Sequence, residues 1–136
     1  MEALGPNEAS SQPKESKANS LFRGFETASG FGAAWYMFSE VCYTTSAEHG
    51  FWDVQPRNKG EMIALMHSEL SEMLEGVRKP GPDSHCPEHS NEAIEAADLL
   101  IRLADYCRGH NIDLVGALRA KMQYNLSRPH KHGKAF

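Results

Sequence analysis

The chain has 136 residues and a formal net charge of −4. This length suits a single domain, and the acidic balance argues against a protein that binds nucleic acid through bulk electrostatic attraction. No apolar run approaches the length of a membrane-spanning helix, and no basic start precedes an apolar stretch, so we expect neither a membrane anchor nor a signal peptide.

The amino-terminal residues differ in composition from the rest of the chain. Residues 1–20 are rich in Ser, Pro, Lys and Glu and offer little to bury, which predicts a disordered polar tail. Residues 21–136 are expected to form the domain. Within it, residues 21–32 are predicted to be a short irregular lead-in. A first helix follows over about residues 33–48, and Gly50 stops it because glycine is favoured just past a helix end.

Three further helices are predicted in chain order. The second covers about residues 59–77 and stops before the breaker Lys79-Pro80-Gly81-Pro82. The third covers about residues 91–108. The fourth starts near Asn111 or Asp113, either of which is a good N-terminal cap, and continues to about residue 127. No strand pattern competes, so we expect an all-α fold with four main helices forming a bundle.

Two acidic pairs lie on the second and third predicted helices. Glu69 and Glu72 are spaced i, i+3, as are Glu95 and Asp98, so the two carboxylates of each pair share one side of a helix. Glu69 projects into the middle of an apolar face, and Glu72 lies at its edge. That face consists of Met62, Leu65, Met66, Leu70, Met73 and Val77.

The third predicted helix is apolar around nearly its whole circumference. Its narrow polar strip consists of Glu95, Asp98, Arg102 and Asp105. A helix with this pattern is usually buried, so we expect the strip to point into the protein. Such an apolar helix in so short a chain also indicates that subunits share the core, and we expect a homo-oligomer.

Burying several carboxylates together is unfavourable, because desolvation and mutual repulsion both oppose ionisation. Protonation relieves the repulsion, and so does a divalent cation. Four carboxylates from two facing helices suit Mg²⁺, with Mn²⁺ as a substitute, better than zinc, which prefers Cys and His. The alternatives are a solvated run of charges or an internal salt-bridge network through Arg102.

The fourth predicted helix carries a second unusual stripe. Lys121, Asn125 and Arg128 continue its apolar line on one face, a pattern suited to holding phosphate oxygens. The alternative is that long basic side chains near a helix end interact with the helix dipole and extend to water. Phe51-Trp52 suits stacking on a nucleobase or packing in a core. His85-Cys86-x-x-His89 offers three zinc ligands, but an ordinary loop is favoured.

The cysteines indicate the redox environment. Cys42, Cys86 and Cys107 are odd in number and lack a CxxC spacing. Free thiols in a reducing cytoplasm account for them most simply, and we expect a cytoplasmic protein.

These motifs resemble those of a known family. The pattern Glu69-x-x-Glu72, a spacer, then Glu95-x-x-Asp98 resembles the signature of the MazG-like all-α nucleoside triphosphate pyrophosphohydrolases. The flanking residues 60–72, GEMIALMHSELSE, agree with it. Lys121-Met122-x-Tyr124-Asn125-x-x-Arg128-Pro129 and His132-Gly133-Lys134 resemble the carboxy-terminal block of the small MazG-like proteins. The similarity covers residues 33–136.

The resemblance implies an all-α domain whose helices pack with those of a second subunit, as a homodimer or homotetramer. It implies Mg²⁺-dependent cleavage of an NTP or dNTP between the α and β phosphates, as nucleotide-pool housecleaning. Glu69, Glu72, Glu95 and Asp98 would hold the metal. Lys121, Tyr124, Asn125 and Arg128 would bind the phosphates, and Trp52 would contact the base.

Three alternatives remain open at this stage. A phosphoribosyl-ATP pyrophosphohydrolase would share the fold and the acidic helices. A non-catalytic helical oligomer would use its buried acids and Arg102 only to fix subunit pairing. A divalent-metal-binding protein would respond to the metal and release no pyrophosphate.

Overall fold

The computed structural model describes residues 16–27 and 29–129, with the side chains of residues 25–29 left aside. Five helices make up this part of the chain: α1 Lys17–Thr27, α2 Ser29–Glu48, α3 Lys59–Arg78, α4 Asn91–Gly109 and α5 Leu114–Leu126. The predicted all-α class is confirmed for these residues, whose sole β feature is an isolated bridge between Pro82 and Ser90. None of the described helices combines the length and apolar character that a bilayer crossing requires.

Helix α4 is the centre of the packing. It lies against α3 on one side and against α2 on the other, while α1 and α5 contact each other. At the start of α4 the approach is very close, since a Cβ on Gly76 of α3 would lie 2.9 Å from the backbone N of Glu92. The absence of a side chain at Gly76 therefore lets α3 and α4 meet along their length, which places their acidic pairs opposite each other.

Local signals in the sequence set most of the helix ends. Side-chain oxygens of Asn58, Ser90 and Asp113 cap α3, α4 and α5 by accepting backbone N–H groups three residues further on. Asp113, rather than Asn111, is therefore the cap of α5. Gly50 adopts a φ of +84°, a left-handed conformation in which glycine follows a helix end without strain, and this confirms the predicted stop of α2.

The amino-terminal prediction was wrong in two respects. Residues 21–27 and 29–32 are helical instead of irregular, and α1 begins at Lys17, inside the segment 1–20 that was predicted to be disordered. The Ser16 hydroxyl accepts the backbone N–H of Asn19, and Phe22 is buried at the contact of α1 with α5. Capping and tertiary burial thus favour a helix that the local composition did not indicate. Residues 1–15 lie outside the described part of the chain.

The described chain buries little apolar surface for its size. Its buried apolar residues are Phe22, Cys42, Trp52, Met62, Ala104 and Cys107. Large apolar side chains on α3 and α4 are instead exposed, namely Ile63, Leu70, Leu74, Val77, Leu100 and Ile101. The polar strip of α4 faces inward toward α2 and α3, as predicted, while much of its apolar circumference faces outward. Exposed apolar surface on this scale is typical of an interaction surface.

Candidate functional site

Three of the four predicted acidic residues come together between α3 and α4. One carboxylate oxygen from each of Glu69, Glu95 and Asp98 lies within 4.8 Å of the other two. Glu69 is buried with 5% of its surface exposed, although it sits in a helix face that is otherwise apolar. Glu95 and Asp98 are half-buried on the facing turn of α4. This group of three is referred to below as the acidic cluster.

Glu72 lies beside the acidic cluster and is not one of its three members. It is exposed one helical turn after Glu69. Its negative charge nevertheless contributes to raising the pKa of Glu95, so its carboxylate is close enough to act on the same site. The predicted role of Glu72 as a metal ligand stays a prediction.

The surroundings of Glu95 disfavour the charged form of its carboxyl group. Burial is the main cause that raises the pKa of Glu95, followed by the charges of Glu72, Glu69 and Asp98 and by a hydrogen bond with Glu69. Each of these causes opposes ionisation of the Glu95 carboxyl. A hard divalent cation would reverse their effect, and a donor set made only of carboxylate oxygens fits Mg²⁺ or Mn²⁺.

One cation of the chain already reaches the acidic cluster. The Nε of Arg102 donates to Oε1 of Glu69, and the two groups form an ion pair. The Arg102 side chain keeps 40% of its surface exposed, while that of Glu69 keeps 6%. The salt bridge through Arg102, which the sequence left open as an alternative to a metal site, is therefore present. Arg102 pairs with Glu69, while the carboxylates of Glu95 and Asp98 still lie next to that of Glu69.

A groove opens beside the acidic cluster, along α2 and α4. Its volume is about 560 Å³, within the range of pockets that hold small organic ligands. Asp98 and Arg102 line it, so the groove and the acidic cluster share a wall. Helix α2 lines it with apolar and polar side chains, and the segment after α2 contributes His49, Phe51 and Arg57. The lining residues from α2 are Phe38, Val41, Cys42, Thr45 and Ser46.

A buried carboxylate of α4 also lines this groove. Asp105 accepts hydrogen bonds from Nε1 of Trp52 at 2.8 Å, from the Ser46 hydroxyl at 3.0 Å and from Arg57 at 3.2 Å. The Arg57 guanidinium also lies 5.3 Å from the centroid of the Phe51 ring and 5.4 Å from that of Trp52. These contacts hold the loop after α2 against α4 and present Phe51 to the groove.

Trp52 occupies a structural position in this arrangement. It is 6% exposed, its ring contacts those of Tyr43 and His110, and its N–H group is taken by Asp105. Base contact by Trp52 stays a prediction. Phe51, which is 61% exposed and lines the groove, is the aromatic residue with an accessible face. The sequence analysis identified both Phe51 and Trp52, but the sequence did not indicate which of the two rings would be buried.

The predicted phosphate-binding residues lie on or just after α5, outside the lining of the groove. Helix α5 packs against α1, and Lys121, Tyr124, Asn125 and Arg128 are neither members of the acidic cluster nor residues that line the groove. They form a local group in which the Lys121 Nζ lies 4.8 Å from the centroid of the Tyr124 ring and the Arg128 guanidinium lies 5.7 Å from it. The predicted role of these four residues as phosphate ligands therefore stays a prediction. Residues 132–134 of the same motif lie outside the described residues.

The loop between α3 and α4 is organised by an aspartate. The Asp83 carboxylate accepts the backbone N–H groups of His85 and Cys86, each at 2.8 Å, and these bonds lower the pKa of Asp83. Among the described residues, the acidic cluster is the sole group of His, Cys, Asp and Glu side chains close enough to share a metal. His85, Cys86 and His89 do not form such a group within the described part of the chain.

No protein-family model matches this chain, and comparisons with curated proteins and with solved structures find no match. The MazG-like resemblance of the motifs therefore stays a prediction. Conclusions about function depend on the residues of this chain and their geometry.

Proposed function

We propose that the protein is a Mg²⁺-dependent pyrophosphohydrolase that converts an NTP or dNTP into its monophosphate and pyrophosphate. The observation that carries the proposal is the convergence of Glu69, Glu95 and Asp98 from two helices at the edge of a groove. The negative charges around Glu95 raise its pKa, a cation bound there would offset them, and the groove is large enough for a nucleoside.

The residues have separate roles in this proposal. Glu69, Glu95 and Asp98, together with Glu72, would hold the metal. When bound, the metal would offset the charge of triphosphate oxygens and lower the pKa of a water molecule. A glutamate of the site accepts a proton from the water that attacks the α-phosphorus. Phe51 offers a ring face on which a base can stack.

Assembly of subunits is part of the proposal. The exposed apolar residues of α3 and α4, among them Leu70, Leu74 and Leu100, favour a homodimer or homotetramer that buries them. The proposed phosphate ligands Lys121, Asn125 and Arg128 lie on α5, outside the site of their own protomer. We infer that they contribute only once the oligomer has formed. The cytoplasmic location remains an expectation from the free cysteines.

The proposal is tested by measuring pyrophosphate release from a panel of canonical and modified NTPs and dNTPs, with and without Mg²⁺. We expect metal-dependent release from at least one of them. Asp98→Ala and Glu69→Ala should each lower the rate by about 100-fold or more, as expected when a metal ligand is lost. Glu75→Ala is the matched control, because Glu75 is an exposed α3 carboxylate paired only with surface cations. Near-normal turnover by Asp98→Ala would contradict the assignment.

Phosphoribosyl-ATP belongs in the same panel, because an enzyme that acts on it would need the same acidic site. Hydrolysis of that compound alone would move the substrate assignment from general nucleotides to this one.

The ion pair of Arg102 with Glu69 favours one alternative of another class, a non-catalytic helical oligomer stabilised by an internal salt bridge. The two hypotheses differ in ligand linkage. An enzyme is stabilised against heat by Mg²⁺ plus nucleotide, since both bind the folded state. A non-catalytic oligomer shows no such shift, and a protein that only binds metal shows a shift with Mg²⁺ alone and no release of pyrophosphate.

A further inference from the structure

Arg102 stands at the boundary between the acidic cluster and the groove. It follows Asp98 by one turn of α4, it pairs through its Nε with Glu69, and it lines the groove together with Asp98. Glu69 is the most deeply buried member of the acidic cluster, while the guanidinium that pairs with it is considerably more accessible. One side chain therefore contacts the innermost carboxylate and faces the open space at the same time.

A guanidinium and a divalent cation compete for the same carboxylate oxygens. Arginine does not lose its proton in proteins, so Arg102 cannot vacate Glu69 by becoming neutral. It must remain charged and find another anion if Glu69 is to bind a metal with both oxygens. Its planar fork of N–H donors matches a phosphate group particularly well.

We propose that Arg102 couples the binding of the divalent cation to the binding of the triphosphate. In the free protein its guanidinium neutralises Glu69 and weakens the binding of a cation that arrives alone. When a triphosphate enters the groove, its oxygens take over the guanidinium and Glu69 becomes available to the cation. This inference rests on the proposed function, because it requires a phosphate chain in the groove.

The coupling has a measurable size. Two ligands that favour the same rearrangement bind cooperatively, and the effect of each on the other is equal. Couplings of this kind change affinity by about 5- to 150-fold. Mn²⁺ should therefore increase the affinity of the wild-type protein for a triphosphate analogue. This increase should exceed that of a variant in which Arg102 cannot pair with Glu69, by a factor in the same range.

The experiment measures binding rather than turnover, on the full chain. Mn²⁺ alone is titrated into wild type, Arg102→Gln and Arg102→Lys. The α,β-methylene analogue of the triphosphate that is hydrolysed fastest, or of dATP if none is, is then titrated with and without a fixed free Mn²⁺ concentration. We expect Arg102→Gln to bind Mn²⁺ alone about 5-fold more tightly or better, and to lose most of the coupling. Arg102→Lys keeps the positive charge but lacks the planar set of N–H donors. Its Mn²⁺ affinity and its coupling should lie between those of the wild type and of Arg102→Gln.

A matched control separates this role from a general loss of positive charge. Arg108 also lies on α4 and pairs through its Nε with a carboxylate, that of Glu40, away from the acidic cluster. Arg108→Gln should leave both the Mn²⁺ affinity and the coupling as in wild type. The proposal is overturned if Arg102→Gln and Arg108→Gln bind Mn²⁺ equally, or if the coupling survives in Arg102→Gln. Circular dichroism identifies a variant that has failed to fold, in which case Arg102→Lys decides.

The outcomes also separate this inference from the function on which it rests. Pyrophosphate release by the wild type together with unchanged Mn²⁺ affinity in Arg102→Gln overturns the coupling alone. Absence of pyrophosphate release from every triphosphate, with no binding of the analogue, overturns both proposals.

Discussion

The indole Nε1 of Trp52 donates a 2.8 Å hydrogen bond to Oδ1 of Asp105, joining the loop after α2 to the carboxy-terminal part of α4. Both side chains are buried, and they lie 53 residues apart in the chain. The Asp105 carboxylate also accepts hydrogen bonds from Ser46 of α2 and from Arg57 of the loop. A single carboxylate therefore ties three segments together around the groove that adjoins the acidic cluster.

We expect Asp105→Ala to destabilise the protein by about 3 kcal/mol, because removing one partner of a buried pair leaves the other charge unpaired. In this case Arg57 and the Trp52 N–H group both lose their acceptor. Denaturant unfolding measures the change. Ser46→Ala, which removes only a neutral hydroxyl donor, should cost about 1 kcal/mol. Equal effects of the two substitutions would show that Asp105 does not organise the loop.

Gly109 should not tolerate a side chain, because a Cβ there would overlap the Trp52 ring. We expect Gly109→Ala to cost about 1 to 3 kcal/mol, as is usual for overpacking in a core. Gly32 provides the control, since it lies within α2 and has no atom within 4 Å of a built Cβ. Gly32→Ala should stabilise by about 0.5 to 1 kcal/mol through helix propensity. Thermal unfolding compares the two, and destabilisation by both would contradict the packing argument.

The raised pKa of Glu95 predicts how metal-free stability depends on pH. A carboxyl whose pKa is raised by folding contributes stability when protonated, and this contribution is lost as pH rises through the folded pKa. Without metal, Glu95→Gln should therefore be more stable than wild type at pH 7. The difference should vanish below about pH 4, where both side chains are neutral.

Thermal unfolding across pH, in the presence of a chelator, tests this expectation. Glu88→Gln is the control because Glu88 is exposed in the loop before α4. Added Mg²⁺ should reverse the order at pH 7 by stabilising the wild type more than Glu95→Gln. A Glu95→Gln protein that is less stable than wild type without metal would show that the Glu95 charge is not unfavourable.

The three cysteines should differ in reactivity toward a thiol reagent. Cys42 and Cys107 are buried, and burial raises the pKa of both thiols, with the Asp105 charge adding to the effect at Cys42. Cys86 is only half-buried. In the native protein we expect one thiol to react rapidly and the other two to react on unfolding. Cys86→Ser should abolish the rapid phase, and a rapid phase that survives this substitution would be inconsistent with the structure.

The sequence determined the helical class and most helix ends, because these follow from local chemistry. Apolar periodicity placed α3 and α4, while Asn58, Ser90 and Asp113 supplied caps and Gly50 supplied a stop. The apolar face around Glu69 favoured its burial but did not guarantee it, since Leu70 and Val77 of the same face are exposed. The amino-terminal helix α1 was missed because the burial of Phe22 and the packing of α1 against α5 depend on tertiary structure.

Only the tertiary structure determined which charged side chains pair with one another. Spacing placed Glu69, Glu95 and Asp98 on two helix faces, but their separation across the interface depends on how closely Gly76 lets α3 approach α4. The pairing of Arg102 with Glu69, and of Arg57 and Trp52 with Asp105, likewise joins segments far apart in the chain. A sequence fixes which groups are polar, whereas distance and burial determine which oppositely charged groups meet, because electrostatic energies depend on both.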